Sequence, residues 1–344
     1  MDRGATWAAR AEALLARHWW QPRRSALAQA LRPLSWLYGA LAARRQRALR
    51  PQKLPVPVIV VGNLVVGGAG KTPTVIALVQ ALAAAGRRPG VVSRGYGRGG
   101  DGVRAVAGGD TARAVGDEPL VIRRRTGAPV WVGRDRVAAA RALCAAHPEV
   151  DVIVSDDGLQ HRALERDAEL VVFDERGAGN GLLLPAGPLR EPLPRQLPPR
   201  LRVVYTGGAA STALPGTPAQ RRLAGAWPLA AWLAGDAGAA QPLSALRGRR
   251  LRAVAGLAAP EKFFAMLEAA GLAIERQPLP DHHDYAALPW PAGTADVVTT
   301  EKDAVKIDPA RIGATRVWVL PLDLALPPAL VGELVSWLPA PTPP

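Results

Sequence analysis

The sequence predicts an α/β fold, in which a parallel sheet flanked by helices is followed by a second, smaller α/β domain. Three observations support this prediction. Short, strongly apolar segments alternate with longer segments rich in alanine and leucine. Glycine and charged residues directly follow several apolar segments, as loops at the carboxyl edge of a parallel sheet do. A stretch rich in proline and glycine, residues 177–200, then divides the pattern into two halves.

The composition is that of a large, strongly basic globular protein. The chain has 344 residues, 49% of them hydrophobic, and a formal net charge of +14. This length has room for two domains. The single cysteine, Cys144, excludes a disulfide framework and fits a reducing cytosol. The positive charge indicates an anionic partner, which can be nucleic acid, an acidic lipid or a phosphorylated substrate.

Residues 1–50 are predicted to be a helical segment that associates with a membrane. Charged residues interrupt the segment, and its longest apolar run, residues 34–43, is too short to span a bilayer. Aromatic residues lie among its arginines: Trp7, Trp19, Trp20, Trp36 and Tyr38. Tryptophan and arginine together suit a bilayer interface. A helical pair packed on the protein core is an equally good interpretation, and both can hold.

Residues 51–176 are predicted to form the first domain, a P-loop NTPase-like sheet with flanking helices. A β-branched strand, residues 56–61, runs into a glycine-rich turn and then into a helix that begins at Lys71 and Thr72. Glycines let successive amides point at an anion, lysine neutralises the β- and γ-phosphates, and threonine suits Mg²⁺. The nucleoside triphosphate is therefore predicted to bind Val65, Val66, Gly67, Gly68, Ala69, Gly70, Lys71 and Thr72.

The glycine spacing differs from the standard G-x-x-x-x-G-K-[ST] pattern, because Val65 stands where the first glycine is expected. The GG-x-GKT form resembles the deviant P-loops of ParA-like ATPases, which carry a signature lysine at the place of Val66. A ParA- or MinD-like membrane ATPase that switches partners is therefore the alternative function, and Val66 argues against it. A glycine-rich turn that binds nothing is the remaining interpretation.

An acidic pair, Asp156 and Asp157, follows the apolar strand of residues 150–155. A carboxylate at the end of a strand downstream of a P-loop is typical of a Walker B site, where it holds Mg²⁺ directly or through water. Two adjacent aspartates are costly to place together unless a cation balances them. We therefore expect Mg²⁺ at this pair and at Thr72, and which aspartate touches the metal stays open. An Asp-Gly turn without a metal is the alternative.

Two further motifs lie between these segments. The run SRGYGR, residues 93–98, places a flexible, arginine-rich loop at the end of the predicted strand 89–93, where open α/β sheets bind ligands. A charged hairpin tip is the alternative. In GDEP, residues 116–119, the residues alone favour Asp117 as the N-cap of a helix whose first turn holds Glu118 and Pro119.

Residues 177–200 are predicted to be a linker, and residues 201–344 a smaller C-terminal α/β domain whose final helix, 329–338, can pack back on the first domain. His282 and His283 stand in the run DHHDY. Adjacent residues on one strand point to opposite faces, so such a pair rarely binds one ion. A single histidine that acts as, or with, a general base and is oriented by a carboxylate fits better. A polar surface loop is the alternative.

Six motifs together resemble the tetraacyldisaccharide 4'-kinase family: GNLVVGGAGKTP, SRGYGR, GDEP, SDDGLQHR, DHHDY and TTEKDAVK. The resemblance covers most of the chain except residues 207–248. It implies an ATP- and Mg²⁺-dependent kinase that phosphorylates the 4'-hydroxyl of a tetraacylated glucosamine disaccharide 1-phosphate in lipid A biosynthesis. Because such a lipid stays in the bilayer, it also implies a peripheral or monotopic protein at the anionic cytoplasmic face of the bacterial inner membrane.

The resemblance also implies roles for individual residues. Asp117 and His282 would take the proton from the 4'-hydroxyl together with Lys71 in the catalytic set, and His283 is expected to be less constrained. Asp303 would read the nucleotide base. The lipid headgroup would be bound by Asn63, Arg94, Tyr96, Gln160, His161 and Arg162. We expect a monomer and no nucleic-acid partner, because the chain lacks an aromatic–basic RNA motif and its arginines are scattered.

Overall fold

The structure is a computed structural model, and it describes residues 15, 17–21 and 23–340. Trp7 and most of the residues before Ala26 in the predicted membrane segment lie outside this part. The described residues form an eight-stranded sheet, a five-stranded sheet and a two-stranded ribbon. We call the part built on the eight-stranded sheet the first lobe, and the part built on the five-stranded sheet the second lobe. The predicted α/β class is confirmed.

The first lobe has the strand order β3-β4-β2-β5-β1-β6-β7-β8. Its strands are β1 (Val58–Gly62), β2 (Pro89–Ser93), β3 (Arg104–Ala105), β4 (Val130–Val132), β5 (Val152–Asp156), β6 (Ala168–Phe173), β7 (Leu201–Tyr205) and β8 (Thr217–Pro218). Every pairing is parallel except that of β3 with β4. The strands β1, β2 and β5 are buried at every position, because both faces of a parallel sheet are covered.

Helices cover this sheet and begin where the sequence provides suitable ends. They are α1 (Ala26–Ala48), α2 (Lys71–Ala84), α3 (Ala112–Val115), α4 (Asp117–Thr126) and α5 (Arg136–Ala146). Helix α5 begins after Asp135, whose carboxylate accepts the amide hydrogens of Val137 and Ala138. The N-cap of α4 is Gly116, and Asp117 is the first residue of the helix.

The second lobe has the strand order β10-β14-β13-β11-β12. Its strands are β10 (Trp227–Pro228), β11 (Leu251–Ala255), β12 (Ile274–Pro278), β13 (Asp296–Thr299) and β14 (Arg316–Val319), and the ribbon pairs β9 (Gln220–Leu223) with β15 (Leu322–Ala325). Its helices are α6 (Leu229–Ala234), α7 (Pro260–Ala269), α8 (Glu301–Ala304) and α9 (Pro328–Ser336), with short 3-10 turns at Ala237–Ala239, Leu243–Leu246 and Pro309–Arg311.

One apolar cluster joins the two halves of the chain. Val75 and Ile76 of α2 belong to the same buried cluster as Leu330 and Leu334 of α9. The final helix therefore packs on the P-loop helix of the first lobe. Such shared burial couples the two lobes, because separating them would expose this apolar surface to water.

The predicted linker and the predicted start of the second domain are wrong. Strand β7 pairs with β6 along its whole length, from Glu169↔Leu201 to Phe173↔Tyr205, so residues 201–205 belong to the first sheet. The stretch 177–200 is an ordered loop packed on α1, where Ser35 Oγ donates to Leu183 O at 2.8 Å and accepts the Ala186 amide at 3.1 Å. Proline and glycine content reports local backbone preference, and it carries no information about strand pairing.

Candidate active site

A curled glycine turn between β1 and α2 forms the floor of the site. Gly67 and Gly70 adopt left-handed φ angles of 85° and 86°, which glycine reaches without steric cost. The buried Asn63 amide donates to Gly67 O at 3.1 Å and so holds the curl closed. Gly67 and Gly68 are exposed at the tip of the turn. This is the arrangement in which amides at a helix N-terminus can meet an anion.

Lys71 begins α2 and points its charge into the site. Its Nζ donates to Asn63 Oδ1 at 3.4 Å and lies 3.8 Å from Asp157 Oδ2. Arg176, which the sequence analysis did not single out, donates to Gly68 O at 2.6 Å. Two cations and a helix N-terminus therefore surround the glycine turn, and together they favour a polyanionic ligand.

The acidic pair stands at the end of β5. Asp156 is 2% exposed and accepts a hydrogen bond from Ser93 Oγ at 2.9 Å. Burial, together with the charges of Glu118 and Asp157, raises the pKa of Asp156. Asp157 is more exposed and adopts a left-handed φ of 46°. A cation would relieve the repulsion among these carboxylates.

These residues fit Mg²⁺ in the mode that phosphate-transfer sites use. The described residues contain no group of three or more His, Cys, Asp or Glu side chains arranged as a complete metal site. Mg²⁺ usually takes one or two carboxylates and completes its shell with phosphate oxygens and water. Asp156, Asp157 and the partly exposed Thr72 meet that requirement. Glu118 is a further carboxylate here, which sequence reasoning missed because it reads as the first turn of a helix.

Asp117 and His282 meet across the two lobes. The Nδ1 of His282 lies 3.0 Å from Asp117 Oδ2, and Asp117 is 5% exposed. Burial acts to raise the pKa of Asp117, but the hydrogen bond from His282 and two nearby ammonium groups outweigh it, so the pKa is lowered. The same hydrogen bond raises the pKa of His282. A carboxylate that orients an imidazole in this way is typical of sites where the histidine acts as a general base.

The arginine-rich loop brings an aromatic ring to this pair. The Tyr96 ring lies 5.2 Å from the His282 ring, and Tyr96 is 61% exposed. Gly116 makes this approach possible, since an added Cβ would lie only 3.1 Å from Gly95 Cα. His282 itself adopts a left-handed φ of 59°, and such strain in a residue other than glycine is common at functional sites.

Two lysines from the TTEKDAVK run close the cleft. Lys302 Nζ lies 3.3 Å from Glu118 Oε1, 3.3 Å from Asp281 Oδ1 and 3.4 Å from His282 Nε2. Lys306 Nζ lies 3.7 Å from Asp117 Oδ2. Sequence reasoning singled out this run but gave neither lysine a role, because nothing local to the run shows which residues of the first lobe face it.

The prediction that Asp303 reads the nucleotide base is wrong. Asp303 has no exposed surface, and its Oδ2 accepts the Gly256 amide at 3.0 Å and the Thr300 hydroxyl at 2.7 Å. A completely buried carboxylate, whose Oδ2 is hydrogen-bonded and whose Oδ1 faces Lys306 Nζ at 3.3 Å, offers no surface to a nucleotide base. The prediction followed from the place of Asp303 in a motif at a strand end, and the packing of the second lobe encloses that residue.

The predicted nucleotide contact of Val65 is wrong, and Val66 keeps only its partly exposed side chain for a nucleotide. Val65 has no exposed surface. Val66 donates its amide hydrogen to Pro188 O at 2.9 Å, so that amide is not available to phosphate. The reason is that the loop of residues 177–200 pairs with this part of the chain, through an isolated bridge between Val65 and Leu189.

Some of the predicted headgroup residues are buried or paired in the structure, and others are exposed. Asn63 is completely buried within the glycine turn, so its prediction as a substrate ligand is wrong. Arg162 is paired with Glu169 at 3.1 Å and Glu191 at 3.0 Å. The remaining predicted residues, Arg94, Tyr96, Gln160 and His161, keep exposed or partly exposed side chains at this edge of the sheet.

Two arginines that sequence reasoning missed hold Asp157. Arg190 Nη1 lies 3.3 Å from Asp157 Oδ1 and donates to Gln160 Oε1 at 3.3 Å. Arg136 is 7% exposed and donates to Asp157 O at 3.2 Å. Arg190 lies in the stretch that was predicted to be a linker, and Arg136 begins helix α5 outside every motif of the sequence analysis. No sequence pattern distinguishes these two arginines from the other arginines of the chain.

Comparisons with known proteins agree on one family. The family model described as tetraacyldisaccharide-1-P 4'-kinase matches residues 27–338. A tetraacyldisaccharide 4'-kinase from Leptothrix cholodnii is 56% identical over 324 residues, which cover 92% of this chain and 93% of that protein. The enzyme of the same name from Methylibium petroleiphilum is 55% identical over 334 residues, which cover 94% of this chain and 92% of that protein.

A solved structure is also similar. A crystal structure of LpxK from Aquifex aeolicus, described as an "apo" form in complex with ATP, matches with a TM-score of 0.73 and 28% sequence identity. The match covers 91% of this chain and 100% of that one. The two-lobed α/β architecture is therefore shared along nearly the whole chain.

Proposed function

The chain belongs to the tetraacyldisaccharide 4'-kinase family, and we propose how its own residues carry out the reaction. It is a kinase that transfers phosphate from ATP to the 4'-hydroxyl of the tetraacylated disaccharide in lipid A biosynthesis. A ParA- or MinD-like switch finds no support in these comparisons. The single observation that carries the mechanism is the 3.0 Å contact between Asp117 and His282 across the two lobes.

The triphosphate is bound at the start of α2. Gly67, Gly68, Ala69 and Gly70 supply the curled backbone, and Lys71 supplies the charge that stabilises the transferred phosphoryl group. Thr72, Asp156 and Asp157 are the residues that would hold Mg²⁺. When bound, that ion would neutralise charge on the phosphate oxygens. Fixed cations matter here because phosphoryl transfer depends chiefly on positioning and electrostatic stabilisation.

The acceptor hydroxyl loses its proton to the Asp117–His282 pair as its oxygen bonds to the γ-phosphorus. The bond from that phosphorus to the β,γ-bridging oxygen breaks, and ADP leaves. With its Nδ1 hydrogen donated to Asp117, His282 has Nε2 as the atom that receives the proton. Asp117 remains ionised, since its pKa is lowered, and it stabilises the resulting imidazolium.

The headgroup occupies the rim formed by Arg94, Tyr96, Gln160 and His161, with Arg162 behind them. Tyr96 supports this placement because its exposed ring lies beside His282. A sugar ring packs well on an aromatic face, and the 1-phosphate of the disaccharide suits an arginine. The rim and the proton acceptor are then on the same side of the cleft.

Helix α1 is proposed to rest on the anionic surface of the inner membrane at its cytoplasmic face. Its exposed apolar side chains are Leu34 (53%), Trp36 (65%), Leu37 (57%) and Leu41 (58%). Its last turns expose Arg44, Arg45 and Arg47. The opposite face packs on the first lobe, where Tyr38 donates to Arg190 O at 3.2 Å. Among the described residues, no helix is long and apolar enough to cross a bilayer. The working unit is proposed to be a monomer.

The mechanism is tested by transfer of labelled γ-phosphate to the disaccharide lipid in the presence of Mg²⁺. Replacing Asp117 with Asn should lower kcat by about 10²–10⁴-fold, because the histidine loses the carboxylate that orients it. The dissociation constant for ATP should stay unchanged, since the side chain of Asp117 contacts His282, Lys306 and the Glu118 amide rather than the glycine turn. An Asp117→Asn enzyme with full kcat would exclude the proposed pair.

A further inference from the structure

Lys306 is a buried cation to which the mechanism above gives no role. Its side chain is 8% exposed. Its Nζ lies 3.3 Å from Asp303 Oδ1 and 3.7 Å from Asp117 Oδ2, and it has no well-aligned hydrogen bond. Withdrawing an ammonium from water costs several kcal/mol unless opposite charges repay it. The charges of these two carboxylates therefore offset the cost of burying the Lys306 ammonium.

The two carboxylates belong to different lobes. Asp303 is part of α8 in the second lobe and is held rigidly by the Gly256 amide and the Thr300 hydroxyl. Asp117 begins α4 in the first lobe. Lys306 is thus anchored on one lobe and reaches a catalytic group on the other, so opening the cleft would leave its ammonium with one carboxylate.

The orientation of the Asp117 carboxylate depends on a small set of contacts. Its Oδ1 accepts the Glu118 amide at 2.9 Å, while Oδ2 faces both His282 Nδ1 at 3.0 Å and Lys306 Nζ at 3.7 Å. Lys302 is nearer to Glu118 and Asp281. Lys302 also helps to keep the pKa of Asp117 low, but Lys306 is the ammonium at ion-pair distance from Oδ2 and is placed to keep that oxygen turned toward the imidazole.

The loop that carries His282 is packed around the same ammonium. Lys306 Nζ lies 5.6 Å from the centroid of the Tyr285 ring, and the His283 ring packs edge-on against Tyr285 at 4.9 Å. Tyr285 is 3% exposed and has a left-handed φ of 55°. This arrangement gives the second histidine of DHHDY a packing role against the ring that lies beside Lys306.

We propose that Lys306 is a positioning residue that holds Asp117 against His282 and makes this contact depend on closure of the two lobes. The inference rests on the proposed role of the Asp117–His282 pair. Lysine suits the task because a compact ammonium can be shared between two carboxylates and leaves Oδ2 open to the imidazole, whereas a guanidinium would tend to bind one carboxylate through two bonds.

The test is Lys306→Met, which keeps the length of the side chain and removes its charge. We expect kcat to fall about 100-fold, as for other losses of alignment in an active site, with the KM for ATP unchanged. Since this substitution would leave Asp303 buried without a cation, the double variant Asp303→Asn/Lys306→Met is measured as well. It should regain thermal stability relative to Lys306→Met and yet keep the low kcat.

A double variant that regains kcat together with stability would show that Lys306 is only structural, and so would a Lys306→Met enzyme with full kcat. Asp117→Asn in the same assay separates this inference from the mechanism. Full activity of Asp117→Asn overturns the pair, whereas an inactive Asp117→Asn beside a fully active Lys306→Met overturns only the role of Lys306. Arg87→Met, which removes a buried ion pair far from the cleft, is the matched control and should keep its kcat.

Discussion

At the amino edge of the eight-stranded sheet, Arg87 and Asp151 are 5% and 4% exposed and pair at 3.3 Å. Backbone groups complete their contacts, because Arg87 donates to Pro339 O at 2.7 Å and Asp151 accepts the Arg88 amide at 2.8 Å. At the opposite edge, Asp117 is as deeply buried, but its partners are a histidine and a lysine from the other lobe. The charges of Arg87 and Asp151 are balanced within the first lobe. The charge of Asp117 is balanced only when the second lobe is in place.

The backbone is also more strained at the carboxyl edge than at the amino edge. Among the described residues, left-handed φ angles outside glycine occur at Asp157, His282 and Tyr285, all of which line or support the cleft. Each such residue costs of the order of 1–3 kcal/mol, which the rest of the fold must offset. At the carboxyl edge, the arrangement of charged groups around the cleft therefore lowers the stability of the fold. At the amino edge, the buried ion pair has only a structural role.

The largest effect should come from the first histidine of the DHHDY run. We expect His282→Ala to lower kcat by about 10²–10⁴-fold, because the proton acceptor is lost. His283→Ala, the matched variant one residue away, should lower kcat only a few-fold, since His283 packs on Tyr285. Both are measured with labelled ATP and the disaccharide lipid. The reverse ranking would mean that the proton acceptor is misassigned.

A smaller effect is expected on α1, whose exposed apolar side chains are proposed to contact lipid. Replacing Trp36, Leu37 and Leu41 together with serine should weaken binding to vesicles of anionic phospholipid at least about ten-fold, because each apolar side chain loses its burial in the bilayer. Flotation with anionic and with neutral vesicles measures the change.

The matched control for α1 is Val103→Ser, which alters an apolar side chain that is 38% exposed elsewhere on the first lobe. It should leave vesicle binding unchanged. Equal binding of the triple variant and the unaltered protein would show that α1 does not dock on lipid.

The smallest effect on turnover should come from the amino edge. Arg87→Met leaves Asp151 buried without a cation, so the free energy of unfolding should fall by about 3–5 kcal/mol. The kcat per folded molecule should stay within about two-fold of that of the unaltered enzyme, because the substitution lies far from the reacting groups. Denaturant unfolding and the labelled assay measure the two quantities. A large fall in kcat at intact stability would remove the contrast between the two edges.

Local pattern was sufficient wherever structure depends on neighbours in the chain. The buried strand Pro89–Ser93 is predicted to the residue, and the glycine turn before Lys71 is placed correctly. These features follow from burial of β-branched runs and from the freedom of glycine, both of which are properties of short segments.

Motif order also indicated the site, but only the resemblance to a family changed the prediction for Asp117 from a helix cap to a catalytic group. The errors lie where partners are distant in the chain. Val66 gives its amide to the supposed linker, Asn63 turns into the glycine curl, and Asp303 is enclosed by the second lobe. No local pattern shows which groups are already satisfied.

By itself, the sequence determined the α/β class, the phosphate-binding turn and the set of charged residues available at strand ends. The tertiary structure alone decided which of those charges meet: Asp117 and His282 are separated by 165 positions in the chain and by 3.0 Å in space. The physical reason is that hydrophobic periodicity specifies which face of a segment is buried, whereas contacts across a cleft depend on how two separately built sheets pack together.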